Sequence, residues 1–381
     1  MAEQFTTLAS LTVDGKGSYG IGASAVPFSK DLYTYLRITD IKDDGTLNLQ
    51  DLKSVDDEKA SEYLLKPNDI VFARTGASTG RNYFYDGMDG EFVYAGFLIK
   101  FSIDEKKVNP KYIKYFCQSK QYKDWINSFN TGSTRGNINA QTLGKMPIPL
   151  IERTAQDALV SILSSIDEKI KKNNEINNNL YEQMLSIFNN ARRTSAWNKH
   201  KLSDVLIFFD NLRKPLSSIQ REKMAHIYPY YGAASIVDYV EDYLFDGTYI
   251  LISEDGANVI DSFGHPLTQY TYGKFWVNNH AHIVKGTNGY SEALVYAMLG
   301  TLNMQSIVTG AAQPKINQAN LRNFEAVLPE SEEAQVLSEL LNPMLQQILH
   351  HEQENEKLSE LRDILLPRLM SGALDISAID L

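Results

Sequence analysis

The sequence predicts an α+β protein built from two repeated mixed α/β domains, which are separated by two long helices that form an antiparallel coiled coil. Three observations lead to this fold class. The chain has 381 residues and 43% hydrophobic content, which is enough to fill two cores. An ordered set of short motifs occurs twice. Each copy runs into a long segment whose apolar residues recur at steps of three and four.

The repeat consists of matching blocks that keep their order along the chain. Residues 63–77 align with residues 243–257 at an offset of 180, and residues 131–143 align with residues 309–321 at an offset of 178. The identical positions of the second block are Thr131, Gly132, Ile138, Asn139 and Leu143 in the first copy and Thr309, Gly310, Ile316, Asn317 and Leu321 in the second. Because the order is kept, duplication explains the similarity better than chance does.

The repeat divides the chain into four predicted segments. Residues 1–151 and 197–330 are the two repeated domains, residues 152–196 form a central long helix, and residues 331–381 form a C-terminal long helix and tail. Inside the domains, strand-like runs alternate with Gly, Asn and Asp turn clusters. A shorter helix is predicted from Pro110 to Phe129, with proline at its first position.

The two long helices have predicted ends of their own. The first is expected to begin at Thr154, whose hydroxyl can cap the first turn, and to run towards Ala191. The second is expected from about Glu332 to Leu366, with a kink or restart at Pro343. A helix of about 35 residues is about 50 Å long. An antiparallel pair of this length would place the two domains at opposite ends of a rod.

Polar residues interrupt the apolar stripe of both helices. The asparagine-rich run 173–179 weakens the first stripe, although polar residues in such a seam fix its register. His350 and His351 are expected to be solvated at the edge of the second.

Charge and cysteine content exclude some classes of protein and leave others open. The net charge is −10, and −8 of it lies in the last 52 residues, which hold 3 basic and 11 acidic groups. The two domains are therefore near neutral, so charge neither supports nor excludes a polyanionic partner. Cys117 is the single cysteine, and the first ten residues do not resemble a signal peptide. The protein is expected in the cytoplasm, with no membrane segment.

The sequence contains none of three common motifs of nucleotide-binding enzymes and methyltransferases. It has no Gly-x-x-x-x-Gly-Lys-Ser/Thr phosphate loop, no Asn/Asp-Pro-Pro-aromatic tetrapeptide and no glycine-rich S-adenosylmethionine loop. The triplet 167–169, Asp-Glu-Lys, lies on an amphipathic helix without a second acidic partner, which argues against a nuclease. His280 and His282 have metal-ligand spacing but no third ligand nearby, so a hydrogen-bonded structural pair is the favoured interpretation. The chain is predicted to have no catalytic residues, no metal ligands and no cofactor of its own.

Polar glycine-containing loops beside the repeated blocks are the candidates for contact with DNA. Arginine can bond guanine edges, asparagine can bond adenine, and glycine allows the backbone to approach phosphate closely. The predicted DNA-binding residues are Arg74, Ser78, Thr79, Arg81, Ser133, Thr134, Arg135 and Asn137 in the first copy and Gln313, Lys315 and Asn317 in the second. The alternative is that each loop is an ordinary solvated turn. Two copies with different polar residues suggest one type of reader adapted to different bases.

Three further segments resemble the specificity subunit (HsdS) of type I restriction-modification enzymes. They are residues 19–25 with 37–41, residues 228–233 with 255–257, and residues 354–372, of which the last is the most specific. The resemblance extends over nearly the whole chain. Residues 146–151 and 327–330 depart from the pattern of the family. In the first of these two segments, a further proline is common after the leucine that is Leu150 here. The departures put only the local turn geometry in doubt.

The resemblance implies that each domain reads one half of a split, asymmetric target in double-stranded DNA. It also implies binding to two modification subunits, which methylate adenine, and through them to restriction subunits, which translocate and cut DNA. S-adenosylmethionine, ATP and Mg would be used by those partners. Two alternatives are a coiled-coil adaptor that does not bind DNA, which leaves the duplicated domains unexplained, and a self-contained methyltransferase-nuclease, which would need the missing motifs.

Overall fold

The computed structural model describes residues 5–49, 51–129, 137–310 and 313–370. The chain divides into two compact units. The first comprises the residues up to Lys169 together with those from Lys357 onward, and the second comprises Ile170–Glu356. Each unit therefore contains one copy of the repeat and a part of each long helix. In the part of the chain that is described, no helix is both long and apolar enough to cross a bilayer.

The described residues of the first unit form ten strands and three short α-helices before its long helix. The strands are β1 (Phe5–Thr7), β2 (Ser18–Tyr19), β3 (Ala25–Pro27), β4 (Tyr33–Leu36), β5 (Lys53–Val55), β6 (Asp69–Ala73), β7 (Asn82–Tyr85), β8 (Phe92–Tyr94), β9 (Leu98–Ser102) and β10 (Pro147–Pro149). The helices are α1 (Pro110–Phe116), α2 (Lys120–Asn127), α3 (Ala140–Gly144) and the long α4 (Arg153–Thr194), which continues into the second unit.

The second unit repeats this plan. Its strands are β11 (Asn198–Lys201), β12 (Leu206–Phe208), β13 (Tyr228–Tyr231), β14 (Ile236–Val240), β15 (Phe245–Asp246), β16 (Tyr249–Ser253), β17 (Thr268–Thr271), β18 (Lys274–Val277), β19 (Ala281–Gly286) and β20 (Glu325–Leu328). Its helices are α5 (Leu202–Val205), α6 (Ser218–Arg221), α7 (Glu292–Leu299), α8 (Gln318–Asn323) and the long α9 (Ser331–Met370), which continues into the first unit.

The sheets of the two units have corresponding topologies. An antiparallel sheet has the order β2-β9-β6-β7 in the first unit and β12-β19-β16-β17 in the second. A second sheet contains one parallel pair, β4 with β8 or β13 with β18. A two-stranded ribbon, β1-β10 or β11-β20, joins the start of each domain to the strand that precedes its long helix. The structure thus confirms the predicted fold class and its internal repeat.

Two predicted helix boundaries within these elements are wrong. The single helix expected from Pro110 to Phe129 is two helices, α1 and α2, because the Ser119 hydroxyl accepts a hydrogen bond from the Tyr122 amide and starts a new helix. The first long helix begins at Arg153, so Thr154 lies inside its first turn and is not its cap.

The restart of the helix that was one of the two predictions for Pro343 is also wrong. Helix α9 is continuous from Ser331 to Met370 and passes through this proline. Pro343 and Glu339, whose carbonyl loses its amide partner, are both exposed. Water can therefore replace the missing hydrogen bond without ending the helix.

Within the second unit, the segments of α4 and α9 lie antiparallel. The Asn173 side-chain amide donates to Glu354 Oε2 (2.7 Å) and Asn355 Oδ1 (2.8 Å), whereas Ser195 Oγ, later in the chain, donates to Glu333 Oε1 (2.6 Å). The contact partners thus run in opposite directions along the two helices. Asn173 is 1% exposed, so the asparagine-rich run forms a buried polar contact at this seam.

The predicted solvation of the histidine pair is correct for His350, which is exposed, and wrong for His351. His351 is 7% exposed, and its Nδ1 lies 2.8 Å from Asn177 Oδ1 on the neighbouring helix. A polar partner on the other helix allows this imidazole to be buried.

Each unit has its own hydrophobic core. In the first unit, Leu159 and Leu163 of α4 and Leu366 and Leu369 of α9 pack in one cluster with the strands and short helices. In the second unit, Met184 and Phe188 of α4 pack with Leu341 and Leu345 of α9 in the same way. These parts of the apolar stripes of both long helices are therefore core surfaces, whereas Ile176 and Leu361 are exposed.

Candidate nucleic-acid interface

In the first unit, the residues that follow β6 lie beside Asn137, the one described residue of the second predicted loop. Thr75, just after β6, forms an antiparallel bridge with Asn137. The Ile138 amide donates to the Arg74 carbonyl at 2.9 Å. Residues that are more than 60 positions apart in the chain thus share one surface.

Arg74 is held beside two exposed aromatic residues. Its guanidinium carbon lies 5.1 Å from the centre of the Tyr19 ring, and its amide donates to the carbonyl of Phe97, which is 58% exposed. Arg74 Nε is buried and has no hydrogen-bond partner among the described residues. The Nε–H group lies too deep to reach a ligand, but a guanidinium that stacks on an aromatic ring suits base or phosphate recognition through its terminal N–H groups. We call Tyr19, Arg74, Phe97 and Asn137 the Arg74 patch.

Three other predicted contact residues of this loop are either buried or paired inside the protein. Arg81 is bidentate to Asp43, with N–O distances of 2.7 and 3.1 Å. Ser78 is 8% exposed, and Thr79 Oγ1 donates to the Gly76 carbonyl at 2.8 Å. These groups stabilise the loop, and contact with DNA would require Arg81 to exchange its carboxylate partner.

Three predicted contact residues of the first copy, Ser133, Thr134 and Arg135, lie outside the described residues.

The second unit places its loop in the same way. Asp255, just after β16, forms an antiparallel bridge with Lys315, and the Ile316 amide donates to the Glu254 carbonyl at 2.8 Å. Lys315 Nζ lies 3.1 Å from Glu254 Oε1 and 3.9 Å from Asp255 Oδ2. The lysine is thus already paired with acidic neighbours.

Two more polar side chains complete this surface. Gln313 is exposed, and His280 Nδ1 lies 2.6 Å from Asp255 Oδ1. We call Asp255, His280, Gln313 and Lys315 the Lys315 patch.

A buried ionic network lies beneath the Lys315 patch. His282 is fully buried, with Nδ1 2.6 Å from Asp210 Oδ2 and Nε2 2.8 Å from the Ile316 carbonyl oxygen. Both ring nitrogens of the imidazole therefore lie within hydrogen-bond distance of an oxygen atom inside the protein. Arg213 Nη1 donates to Glu254 Oε2 at 2.6 Å. His280 and His282 are thus each hydrogen-bonded to a carboxylate, as predicted, although no sequence pattern indicated the further ligands Asp210 and Glu254 beside His282.

The network also shifts the pKa values of its carboxylates. Burial alone would raise the pKa of Asp210, but His282, the Ile283 amide and Arg213 together hold it below its usual value. Burial alone would also raise the pKa of Glu254, but Arg213, His282 and Lys315 together hold it below its usual value.

These groups also have a spacing that could hold a metal ion. Asp210, Glu254 and His282 offer donor atoms within 4.8 Å of one another. Arg213 and Lys315 already neutralise the carboxylates, so a metal would have to displace both cations.

Asn317, which was predicted to contact DNA, caps a helix. Its side-chain oxygen accepts a hydrogen bond from the Asn320 amide at the start of α8 (2.8 Å). Asn139 caps α3 through the Thr142 amide at the same distance. The preceding Ile138 and Ile316 are both buried. The shared isoleucine and asparagine of the repeat thus maintain the fold, whereas Asn137 and Lys315, which differ between the copies, lie on the surface.

Sequence reasoning missed several residues at these surfaces. Tyr19 lies in a segment that carried the family resemblance, but nothing in the sequence connected it with Arg74. Phe97 belongs to no motif, and the sequence singled out His280 only as one of a histidine pair and not as part of a surface with Asp255. The loop between β16 and β17 has fourteen residues (254–267) where the loop between β6 and β7 has eight (74–81), and it exposes Phe263 by 73%.

Both copies of the repeat are similar to a known protein family. Residues 29–182 and 194–360 match the model of the family described as type I restriction modification DNA specificity domain. A putative type I restriction enzyme specificity subunit of Haemophilus influenzae is 34% identical over 128 residues, which are 34% of this chain and 32% of that protein. The chain thus matches about a third of the length of that relative.

Two longer similarities extend over most of the chain. The MjaIX type I restriction enzyme specificity subunit of Methanocaldococcus jannaschii is 19% identical over 315 residues, which are 73% of this chain and 72% of that protein. The crystal structure of a type I restriction-modification system S subunit from M. genitalium superposes with a TM-score of 0.52 at 18% identity, over 97% of this chain and 96% of that one. At this identity the structural likeness supports the fold alone.

Proposed function

The chain belongs to the type I restriction modification DNA specificity family, and from this premise we propose that it is the subunit that recognises a split, asymmetric target in double-stranded DNA. It directs adenine methylation or DNA cleavage by two modification subunits and by restriction subunits. S-adenosylmethionine, ATP and Mg are used by those partners, and this chain contributes recognition without catalysis.

The observation that carries the proposal is that equivalent positions of the two units bear different side chains. Arg74 and Asn137 in the first unit correspond to Glu254 and Lys315 in the second, on the same bridged backbone. Direct reading of bases depends on the donors and acceptors that a side chain offers. Two readers with one backbone and different side chains suit two unlike half-sequences.

Methylation mapping tests this proposal. The chain is expressed with its modification partner, and modified adenines in cellular DNA are located by single-molecule sequencing. Arg74→Ala is expected to relax one half of the target, and Lys315→Ala the other half. Lys120→Ala, which removes an exposed cation of α2, is the control and should leave the target unchanged.

The same experiment can contradict the proposal. An unchanged two-part target in both loop variants would mean that these loops do not read bases. If gel shift with the modification subunits shows no DNA binding at all, the chain is a coiled-coil adaptor and the proposal fails.

A further inference from the structure

A cavity of about 390 Å³ within the second unit is lined mainly by tyrosine side chains. Its lining residues are Asn177, Asn178, Tyr181, Tyr231, Ile236, Thr268, Gln269, Tyr270, Tyr272, Tyr296, Ile348, Glu352 and Glu356. This set has five tyrosines and two carboxylates but no lysine or arginine among the described residues that line it. We call it the tyrosine cavity.

The two carboxylates of the tyrosine cavity have neutral partners. Glu352 accepts a hydrogen bond from the Tyr270 hydroxyl, and Glu356 Oε1 accepts one from the Tyr272 hydroxyl at 3.0 Å. By contrast, Asp210 and Glu254 of the same unit are each paired with a cationic group. The cavity therefore keeps an excess of negative charge that the carboxylates of the ionic network do not have.

Burial and charge both act on the groups that face this space. Burial raises the pKa of Glu352, a hydrogen bond from Tyr270 opposes the rise, and Glu356 adds to it. Burial, followed by Glu352 and Glu356, raises the pKa of Tyr231 to about 12. The phenol stays protonated, and a cation entering the cavity would relieve the repulsion between the two carboxylates.

The tyrosine rings provide a second source of attraction for a cation. The centre of the Tyr296 ring lies 4.8 Å from that of Tyr181 and 5.1 Å from that of Tyr270. The faces of aromatic rings attract ammonium groups, and cages of such rings bind organic cations. Rings and carboxylates that surround one space are complementary to a ligand that is both positively charged and partly apolar.

We propose that the tyrosine cavity binds an alkyl diamine or polyamine, with its ammonium groups at Glu352 and Glu356 and its carbon chain against the tyrosine rings. The two carboxylates are four residues apart on α9, so they lie on one face about 5–6 Å apart at Cβ. A volume of about 390 Å³ is within the range of small-molecule sites. The proposal does not depend on DNA recognition.

The test uses the full chain and two ligands that differ in charge. Isothermal titration calorimetry at constant ionic strength compares 1,4-diaminobutane with 1,4-butanediol. Saturable binding at one site is expected for the diamine and no binding for the diol. The diamine should also raise the unfolding temperature of the second unit, because a ligand that binds only the folded state stabilises it.

Variants locate the site. Glu352→Gln and Glu356→Gln should each weaken diamine binding by about tenfold or more. Glu339→Gln, which removes an exposed charge from the same helix, should change the Kd by less than about twofold and controls for general attraction to an acidic protein. Equal heats for the diamine and the diol would overturn the proposal even if a variant fails to fold. So would equal weakening by Glu339→Gln and Glu352→Gln.

Discussion

The Arg74 patch and the Lys315 patch have the same backbone pairing but differ in the groups that surround their cationic side chain. In the first, a guanidinium lies over Tyr19 beside the exposed Phe97. In the second, the cation is Lys315, and Glu254 and Asp255 lie within 4 Å of it. Duplication has thus preserved the bridge between loop and strand while the chemistry offered to a ligand has diverged.

The difference extends below the surface. Ile99 of β9 pairs with Phe72, and His282 of β19 pairs with Ile252, so Ile99 and His282 occupy equivalent positions of the repeated sheet. Both side chains are fully buried. An apolar residue in one unit is therefore replaced in the other by a histidine that needs Asp210 and the Ile316 carbonyl as partners. The second patch depends on an ionic network for its shape, and the first depends on packing.

The largest expected effect comes from breaking that network. Asp210→Ala removes the carboxylate that contacts the buried imidazole of His282 and leaves Arg213 with Glu254 alone, which should lower the free energy of unfolding of the second unit by about 3–5 kcal/mol. The double variant Asp210→Leu with His282→Ile, which copies the apolar design of the first unit, should lose much less. Urea unfolding followed by tryptophan fluorescence measures both. Equal losses in the single and double variants would contradict the ionic account.

Acid should weaken the same network. Folding lowers the pKa values of Asp210 and Glu254 from 3.8 and 4.5, respectively. The two carboxylates therefore contribute their full stabilisation above these unfolded-state pKa values. This contribution is lost as the pH falls towards the pKa values of the folded state. The second unit of the wild type should therefore lose stability as the pH falls below about 5. The double variant should show a shallower dependence in unfolding experiments between pH 7 and 3. A steeper profile in the double variant would disagree with these shifts.

Sequence reasoning predicts the elements that the repeat and helical periodicity determine. Ile70 and Ile250, or Leu143 and Leu321, are buried in both units as their shared pattern requires. Sequence reasoning fails where the environment of a residue depends on a partner that is distant in the chain. His351 is buried because Asn177 faces it, and Asn317 is used as a helix cap. Tyr19 reaches Arg74 through strand pairing across more than 50 residues. These contacts depend on tertiary structure, which local patterns do not encode.

The next effect concerns the geometry of the guanidinium. Arg74→Lys keeps the positive charge and removes the planar fork, so it should weaken binding to the specific target by about 1–3 kcal/mol and leave non-specific affinity nearly unchanged. Fluorescence anisotropy with target and scrambled duplexes, in the presence of the modification subunits, measures the two affinities. An equal loss for both duplexes would indicate a phosphate contact in place of base reading.

The two helix caps should behave alike because they belong to the shared part of the repeat. Asn139→Ala and Asn317→Ala each remove a hydrogen bond of 2.8 Å to the first turn of a short helix. Each should cost about 1 kcal/mol in the free energy of unfolding of its own unit. If Asn317→Ala changes the DNA target without this loss of stability, Asn317 contacts DNA as the sequence predicted.

The smallest expected effect comes from exchanging the acidic residue that distinguishes the two patches. Thr75 and Asp255 occupy equivalent bridge positions. Thr75→Asp brings a carboxylate to the Arg74 patch, so it should lower DNA affinity. Asp255→Asn removes one from the Lys315 patch and should raise it. Two exposed charges about 4 Å apart interact by about 1 kcal/mol in water, which limits each change to about fivefold at low salt. Because salt screens such charges, both changes should shrink as ionic strength rises.

Anisotropy titrations from 50 to 300 mM salt measure these two changes in DNA affinity. Opposite signs that converge at high salt would support electrostatic tuning of one shared backbone. Changes of the same sign, or changes that do not depend on salt, would mean that Asp255 acts by positioning His280, from which it lies 2.6 Å away.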